Sequence, residues 1–232
     1  MFLILLYHAQ NQKAREKHAH KQKYSPFAVI RVDNRTLFGV EYKKEVFFFL
    51  ITRAMPKKEF AVSFSVPDYM FDSFREVTPA FLKSLQVRCL LCDIDNTLVT
   101  YDDAVPTDAV LTWLSAMKEN GITVIFLSNN NDDRVKRFTE AIDNAWSADA
   151  GKPLTKKAKQ LLEKLGFSPE ETAVLGDQVF TDVWTGNFLG ARATLLVPPI
   201  KDKTSLFFRS KRFLEKPFLA RYRRREKKKQ TK

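Results

Sequence analysis

The sequence predicts an α/β protein in which helices cover both faces of a mainly parallel sheet, a Rossmann-like three-layer sandwich. Short runs with almost no polar residue, as at 87–92 and 122–127, indicate strands that are buried on both faces. Such strands are typical of parallel sheets, and segments of helical period alternate with them, as a doubly covered sheet requires. At 232 residues, the chain is long enough for one sizeable domain with appendages.

The elements can be assigned in order from residue 66 onward. The predicted strands are residues 87–92, 122–127, 172–175 and 193–197. The predicted helices are one that follows Pro106 and Thr107 and ends at Asn120 and Gly121, then residues 133–142 and residues 154–165. The residues expected to face the core are Val110, Trp113, Leu114 and Met117 in the first helix, and Ala158, Leu161, Leu162 and Leu165 in the third. Ser168 to Glu171 has the spacing of a capping box.

The positive charge of the chain is concentrated at its ends. The formal net charge is +12, and residues 201–232 alone contain 14 Lys and Arg against 3 Asp and Glu. Residues 69–200 contain 13 Lys and Arg against 18 Asp and Glu, so the middle of the chain is mildly acidic. We therefore expect a domain at 55–200, followed by a basic, amphipathic C-terminal tail at 201–232.

The C-terminal tail interleaves bulky apolar residues with Lys and Arg between residues 205 and 225. This composition suits binding to an anionic membrane surface. It also suits an RNA or ribosomal surface, or a terminal helix that packs on the domain and ends in a solvated basic segment. The membrane surface is the first expectation, and nucleic acid is the least favoured. Pro217 would interrupt a helix, so we expect two short helical segments here.

Residues 1–54 show no sustained helical or strand period. They are either a disordered extension or the result of a start codon chosen too early, since Met55 would be a plausible start. No stretch approaches the roughly 18 apolar residues of a spanning helix, and the apolar residues 1–7 lack the flanks of a signal peptide. The expected compartment is the cytoplasm, with peripheral contact at the inner face of the membrane.

The cysteines and histidines argue against a zinc, redox or histidine-based centre. Cys89 and Cys92 have the C-x-x-C spacing, but residues i and i+3 of a strand point to opposite faces. The two thiols therefore cannot share a metal or form a bridge, and we expect both to be buried in the core. All three histidines lie in the first 20 residues, outside the predicted domain.

Polar side chains gather where the predicted strands end. Asp93 and Asp95 follow the first strand, Ser128 the second and Asp177 the third, while Lys152 lies in a loop ahead of a helix. The carboxyl ends of parallel strands meet at one edge of a sheet, so we expect these side chains to lie close together. One such end would be an ordinary turn, whereas several in register indicate a site.

The residue types at this edge suit phosphoryl chemistry. A cluster of carboxylates attracts a hard divalent cation, and Mg²⁺ favours one or two carboxylates together with water and phosphate oxygens. A lysine and a serine hydroxyl suit the oxygens of a phosphoryl group. The cation would hold Asp93 ionised and in line with phosphorus, and Asp95 can protonate the leaving oxygen and then take a proton from water.

This constellation resembles the haloacid dehalogenase-like (HAD) phosphatase superfamily, whose motifs D-x-D-x-T, S/T, K and G-D-x-x-x-D occur here in the same order. They correspond to Asp93 to Thr97, Ser128, Lys152, and Gly176 to Asp182, the last of which is one residue longer than the motif. A narrower resemblance, to the YqeG family of HAD subfamily IIIA, covers residues 66–225. It rests on the segments VPDYMFDSFREVTPAFL, DIDNTLV, SNNN, GDQVFTDV and LLVPPI.

The resemblance implies a role for each site residue. Asp93 would be the nucleophile that forms a phosphoaspartate, and Asp95 would be the general acid and base. The implied ligands of Mg²⁺ are Asp93, Asp177 and the backbone carbonyl of Asp95. The implied phosphate-binding residues are Ser128, Asn129 and Lys152. Thr97 and Asp182 would support these groups from around the site. The YqeG family is related to the phosphatidylglycerophosphate phosphatases, so the resemblance implies that phospholipid as substrate.

The gaps between the motifs leave no room for a cap domain. About ten residues (99–108) separate the first motif from the next helix, and a helix takes up most of the segment between Ser128 and Lys152. An open site favours a substrate that brings its own bulk, such as a protein, a nucleic acid or a lipid head group. Alternatives to the phospholipid are a phosphoprotein, a nucleotide or a sugar phosphate, and a different class altogether, a basic RNA- or ribosome-associated binding protein.

Overall fold

The computed structural model describes residues 64–201 and 206–230, together with two short antiparallel strands, β1 (Thr36–Leu37) and β2 (Val40–Glu41). The rest of the predicted N-terminal extension at 1–54 lies outside the described residues. The two explanations offered for it, disorder and a mis-called start, therefore remain predictions.

A six-stranded parallel sheet forms the centre of the fold. Its strands are β3 (Tyr69–Met70), β4 (Cys89–Cys92), β5 (Thr123–Leu127), β6 (Trp146–Ser147), β7 (Thr172–Gly176) and β8 (Ala193–Leu196). Their spatial order is β3-β8-β7-β4-β5-β6, so β4 lies between β5 and β7. The four predicted strands are confirmed, and the three expected to end at the site are direct neighbours.

Helices and shorter turns connect these strands. The α-helices are α1 (Pro79–Ser84), α2 (Asp108–Glu119), α3 (Asp132–Thr139), α4 (Lys156–Leu165), α5 (Trp184–Leu189) and α6 (Leu206–Gln230). Two 3₁₀ turns cover Phe74–Glu76 and Pro169–Glu171, and a π-helical turn covers Val179–Val183. The capping box predicted from Ser168 to Glu171 begins the second 3₁₀ turn.

Two hydrophobic cores lie on opposite faces of the sheet and give the fold its three layers. One contains residues of α1, α2 and α3, and the other contains residues of α4 and α5. Cys92 belongs to the first core and Cys89 to the second, and both are buried and unbridged. The α/β Rossmann-like prediction is therefore confirmed, and so are the opposite directions of the two thiols. The predicted inward residues of α2, namely Val110, Trp113, Leu114 and Met117, are all buried.

Two local predictions are wrong. Leu165 was expected to face the core, yet it is 38% exposed because it is the last residue of α4 and Gly166, with φ +75°, turns the chain away. Pro217 was expected to divide the C-terminal segment, yet α6 is continuous through it. The contacts on each side explain this, because Glu215 before Pro217 and Phe218 after it both pack on the domain.

The C-terminal helix α6 packs along the loop that follows β7. Phe218 packs edge-on against Phe180, with the two ring centres 5.8 Å apart. The backbone N–H of Met70 donates to the hydroxyl oxygen of Tyr222 at 3.1 Å. Further along, Arg225 donates to the carbonyl of Asp68 at 2.8 Å. In the part of the chain that the structure describes, no helix combines the length and apolar character needed to cross a membrane.

Candidate active site

The chain leaves β4 in a tight loop that presents Asp93 and Asp95 at the carboxyl edge of the sheet. The N–H of Asp93 donates to the carbonyl of Leu175 in β7 at 2.9 Å, which extends the parallel pairing by one residue. Asn96 has φ +69°, a left-handed conformation that asparagine tolerates, and its N–H donates to Val99 at 2.7 Å. This turn directs both buried carboxylates to the same edge.

Lys152 connects the loop after β4 with the loop after β7. Its Nζ donates to Oδ1 of Asp93 at 2.6 Å and to Oδ1 of Asp182 at 2.7 Å. The Thr97 hydroxyl donates to the second oxygen of Asp93 at 3.2 Å. Burial works against the charge on Lys152, but the two carboxylates outweigh it and raise its pKa above the ordinary value. The side chain is therefore a fixed cation in contact with the predicted nucleophile.

The end of β5 holds the Lys152 loop in place. The N–H of Lys152 donates to Oδ1 of Asn129 at 2.7 Å, and Nδ2 of Asn129 donates back to the Lys152 carbonyl at 3.1 Å. Ser128 is buried, and its hydroxyl oxygen accepts from the N–H of Asn130 at 3.0 Å. The predicted phosphate-binding residues Ser128, Asn129 and Lys152 thus lie next to one another.

The extra residue in the motif after β7 is accommodated by the π-helical turn Val179–Val183. A π-helix contains one more residue per hydrogen-bonded ring than an α-helix, which matches the longer spacing between Asp177 and Asp182. Gly176 is also required here, since a Cβ at this position would lie 2.1 Å from the carboxyl carbon of Asp182. Together these features let Asp182 reach Lys152.

Three carboxylates at this edge lie close enough together to hold a metal ion. Asp93, Asp177 and Asp182 offer oxygens that lie within 4.8 Å of one another, and all three residues are buried. Burial raises the pKa of Asp93 to about 7 and that of Asp177 to about 6, against the opposing effect of Lys152 and Arg212. Three carboxylates against two cations leave negative charge, and hard carboxylate oxygens are the donors that Mg²⁺ prefers. The donor set therefore fits a divalent cation.

Arg212 of α6 contacts Asp177, a contact that the sequence analysis missed. One guanidinium nitrogen pairs with the Asp177 carboxylate, and the other donates to the Asp177 carbonyl at 2.5 Å and to Glu215 at 3.0 Å. Glu215, itself buried, accepts from the N–H of Val179 at 3.0 Å. No local signal could have singled out Arg212, because it is one of many basic residues in the tail.

Arg134 and Tyr101 also lie at the site and were missed, and so was the role of Asn130, which the sequence placed only in the segment SNNN. Arg134 donates to Oδ1 of Asp95 at 2.9 Å, and Nδ2 of Asn130 donates to Oδ2 of the same residue at 3.2 Å. Burial raises the pKa of Tyr101 above its ordinary value, and the negative charge of the four site aspartates raises it further. Asn130 and Arg134 follow the end of β5, and that position is the signal that could have identified them.

The family of the chain follows from comparison with known proteins. A family model described as haloacid dehalogenase-like hydrolase matches residues 75–190, half of the chain. The chain therefore belongs to the haloacid dehalogenase-like hydrolase family. Within it, the chain is 35% identical over 161 residues to the probable phosphatase YqeG of Bacillus subtilis (strain 168), a match that covers 69% of this chain and 93% of that protein. These two matches confirm the prediction that the chain is a HAD-type phosphatase of the YqeG family.

Two solved structures match the chain at low similarity. One is an uncharacterized protein from Listeria monocytogenes serotype 4b, with 18% identity, a TM-score of 0.42, and coverage of 51% of this chain and 85% of that one. The other is the cobalt-bound deoxy-D-mannose-octulosonate 8-phosphate phosphatase of Haemophilus influenzae, with 17% identity, a TM-score of 0.40, and coverage of 56% and 77%.

Proposed function

We propose that this chain hydrolyses phosphomonoesters with the help of Mg²⁺ and through a phosphoaspartate on Asp93. The observation that supports this most strongly is the contact of Lys152 with both Asp93 and Asp182. A buried lysine in this position would hold the oxygens of a phosphoryl group against the nucleophile. Mg²⁺ bound by Asp93, Asp177 and the carbonyl of Asp95 would neutralise charge that develops on those oxygens.

The reaction has two steps that regenerate the enzyme. In the first, a carboxylate oxygen of Asp93 attacks phosphorus, the bond from phosphorus to the ester oxygen breaks, and Asp95 gives its proton to that oxygen. In the second, Asp95 takes a proton from a water whose oxygen attacks phosphorus, and the bond from phosphorus to Asp93 breaks. The products are the alcohol and inorganic phosphate, and throughout both steps Ser128, the backbone of Asn129, and Lys152 bind the phosphoryl oxygens.

We favour phosphatidylglycerophosphate as the substrate, with phosphatidylglycerol as the product. The similarity to the YqeG family supports this choice, and so does the open site. Within residues 64–201, the segment between β4 and α2 is a short loop and no further domain is inserted. An uncovered site can accept a head group that projects from a lipid surface.

The outer face of α6 supports peripheral binding to an anionic membrane, at the cytoplasmic side. Phe213 and Leu214, which directly follow Arg212, are 68% and 54% exposed. Insertion of each into the lipid boundary would contribute about 1.5–3 kcal/mol, and each nearby cation roughly 1 kcal/mol. The exposed cations between 211 and 229 are Lys216, Arg221, Arg223, Arg224, Lys227, Lys228 and Lys229. The acidic residues of that segment are Glu215, which is buried, and Glu226, which is partly exposed.

A substrate panel tests the proposed reaction and its substrate. Phosphate release should be measured with Mg²⁺ and with EDTA, from phosphatidylglycerophosphate in detergent micelles and from soluble phosphoproteins, nucleotides and sugar phosphates. The expected result is Mg²⁺-dependent turnover of the lipid that disappears in Asp93→Asn. Turnover of soluble esters alone would contradict the lipid substrate, and no turnover of any ester would contradict the phosphatase and favour the RNA-associated binding protein.

A vesicle experiment tests the proposed membrane face separately. Phe213→Ser combined with Leu214→Ser should weaken sedimentation with phosphatidylglycerol vesicles by tenfold or more, because roughly 1.4 kcal/mol already corresponds to a factor of ten. Leu111→Ser, which also removes a partly exposed leucine, should leave binding unchanged. Equal binding by both variants and the wild type would contradict the proposed face.

A further inference from the structure

We infer that Arg134 is a positioning residue, which holds the carboxyl group of Asp95 where it can protonate the leaving group. This inference rests on the proposed role of Asp95 as the general acid and base. Arg134 lies in the first turn of α3, and its Nη2 donates to Oδ1 of Asp95 at 2.9 Å. Both side chains are largely buried, so water competes little for this contact.

Arg134 also binds the loop between β4 and α2. Its guanidinium donates to the carbonyl of Asp103 at 2.8 Å and to the carbonyl of Ala104 at 3.1 Å. One side chain therefore connects Asp95 with the loop that borders the site.

The orientation of the Asp95 carboxyl group is determined from both sides. Arg134 binds Oδ1, and Nδ2 of Asn130 binds Oδ2 at 3.2 Å, so rotation of the group would break a hydrogen bond whichever way it turned. A general acid must lie within hydrogen-bond reach of the atom that it protonates, and a small displacement reduces the rate strongly. Asn130 alone provides one neutral contact, whereas Arg134 provides a charge-assisted one.

The cost of placing Arg134 here supports a specific role. Its Nε is buried and has no hydrogen-bond partner among the described residues, and a buried donor without a partner is unfavourable. The central carbon of the guanidinium also lies 5.8 Å from the ring centre of Phe138, and this contact limits rotation of the guanidinium plane. Two nitrogens of the guanidinium share the contacts with Asp95 and both carbonyls, so the single nitrogen of a lysine cannot replace it fully.

Leaving-group dependence separates a positioning role from a merely structural one. A 4-nitrophenolate leaves without a proton, whereas an alkoxide needs one, so only alkyl esters depend on the general acid. The quantity to compare is kcat/KM, which does not include hydrolysis of the phosphoaspartate. For Arg134→Ala, we expect kcat/KM to fall about 30-fold or more with an alkyl phosphate and less than about 3-fold with 4-nitrophenyl phosphate, given the 10²–10⁴-fold contribution of a general acid.

Four further variants make the experiment decisive. Arg134→Lys, which keeps the charge, should show the same pattern with a smaller loss, and it replaces Arg134→Ala if that variant does not fold. Asp95→Asn should show the same pattern, and the double variant Arg134→Ala/Asp95→Asn should lose no more than Asp95→Asn alone. Lys201→Ala removes the exposed ion pair with Asp102 in the same loop, without a contact to Asp95, and should affect both esters equally.

Each contradicting outcome identifies the statement that fails. If Asp95→Asn shows the leaving-group pattern but Arg134→Ala slows both esters equally, the inference about Arg134 is wrong and the proposed function stands. The same holds if the losses in the double variant multiply. If Asp95→Asn itself slows both esters equally, the proposed role of Asp95 fails, and the positioning role of Arg134 fails with it.

Discussion

Replacing Arg212 with methionine should destabilise the fold by about 3 kcal/mol. Methionine keeps a long apolar side chain but leaves Asp177 and Glu215, whose side chains are 0% and 2% exposed, without their shared cation. Removal of one partner from a buried ion pair typically costs about 3–5 kcal/mol. Because the Arg212 side chain is 24% exposed, water screens part of this interaction and the lower end of the range applies.

Arg225→Met is the matched control for this change. Arg225 lies on the same helix and also binds the domain, through the carbonyls of Pro67 at 3.0 Å and Asp68 at 2.8 Å. Its side chain is 38% exposed, and its removal leaves no carboxylate buried without a partner, so we expect a cost of about 1 kcal/mol.

Urea denaturation followed by tryptophan fluorescence measures both costs. The urea concentration at the unfolding midpoint should fall, while the slope of the unfolding free energy against urea concentration stays unchanged. The melting temperature of Arg212→Met should drop by roughly 6–12 °C. Mg²⁺ should recover more stability in Arg212→Met than in Arg225→Met, because the ion supplies positive charge beside Asp177 and binds only the folded chain. Equal losses in the two variants, or equal recovery with Mg²⁺, would refute the proposed contact between α6 and the metal site.

Other consequences concern the metal, the loop after β7 and the core. Burial raises the pKa of Asp93 to about 7 and that of Asp177 to about 6, so protons compete with Mg²⁺ below these values. Calorimetry should show affinity that increases with pH and levels off above about pH 7; a pH-independent affinity would contradict this. Gly176→Ala should lower kcat by on the order of 100-fold, because the new Cβ displaces Asp182 from its contact with Lys152; wild-type kcat in a folded variant would contradict the close approach. Burial raises the pKa of Cys89 to about 12, so Ellman's reagent should label neither cysteine before unfolding, and rapid labelling of the native protein would contradict the core assignment.

The sequence was informative wherever local pattern decides the structure. Continuous apolar runs identified the four long strands, and the parallel order then placed Asp93, Ser128 and Asp177 at one edge. The period of two in a strand likewise placed Cys89 and Cys92 in different cores. These inferences needed no knowledge of distant contacts.

The contacts of the C-terminal helix could not be predicted in this way. Arg212 reaches Asp177 from 35 residues away, and a basic residue in a basic segment has no distinctive pattern. Pro217 illustrates the same limit, because tertiary contacts before and after it hold the helix together despite the local preference. The π-helical turn that lengthens the last motif was also hidden, since its sequence shows only one additional residue.

Trapping the phosphoaspartate tests the proposed role of Asp93 as the nucleophile. The enzyme should be mixed with ³²P-labelled substrate and Mg²⁺, quenched in acid within one turnover, and digested for identification of the labelled peptide. We expect hydroxylamine-sensitive label on the peptide that contains Asp93, and neither label nor turnover in Asp93→Asn. Turnover by Asp93→Asn at the wild-type rate, or label on a different residue, would contradict the assignment of Asp93 as the nucleophile.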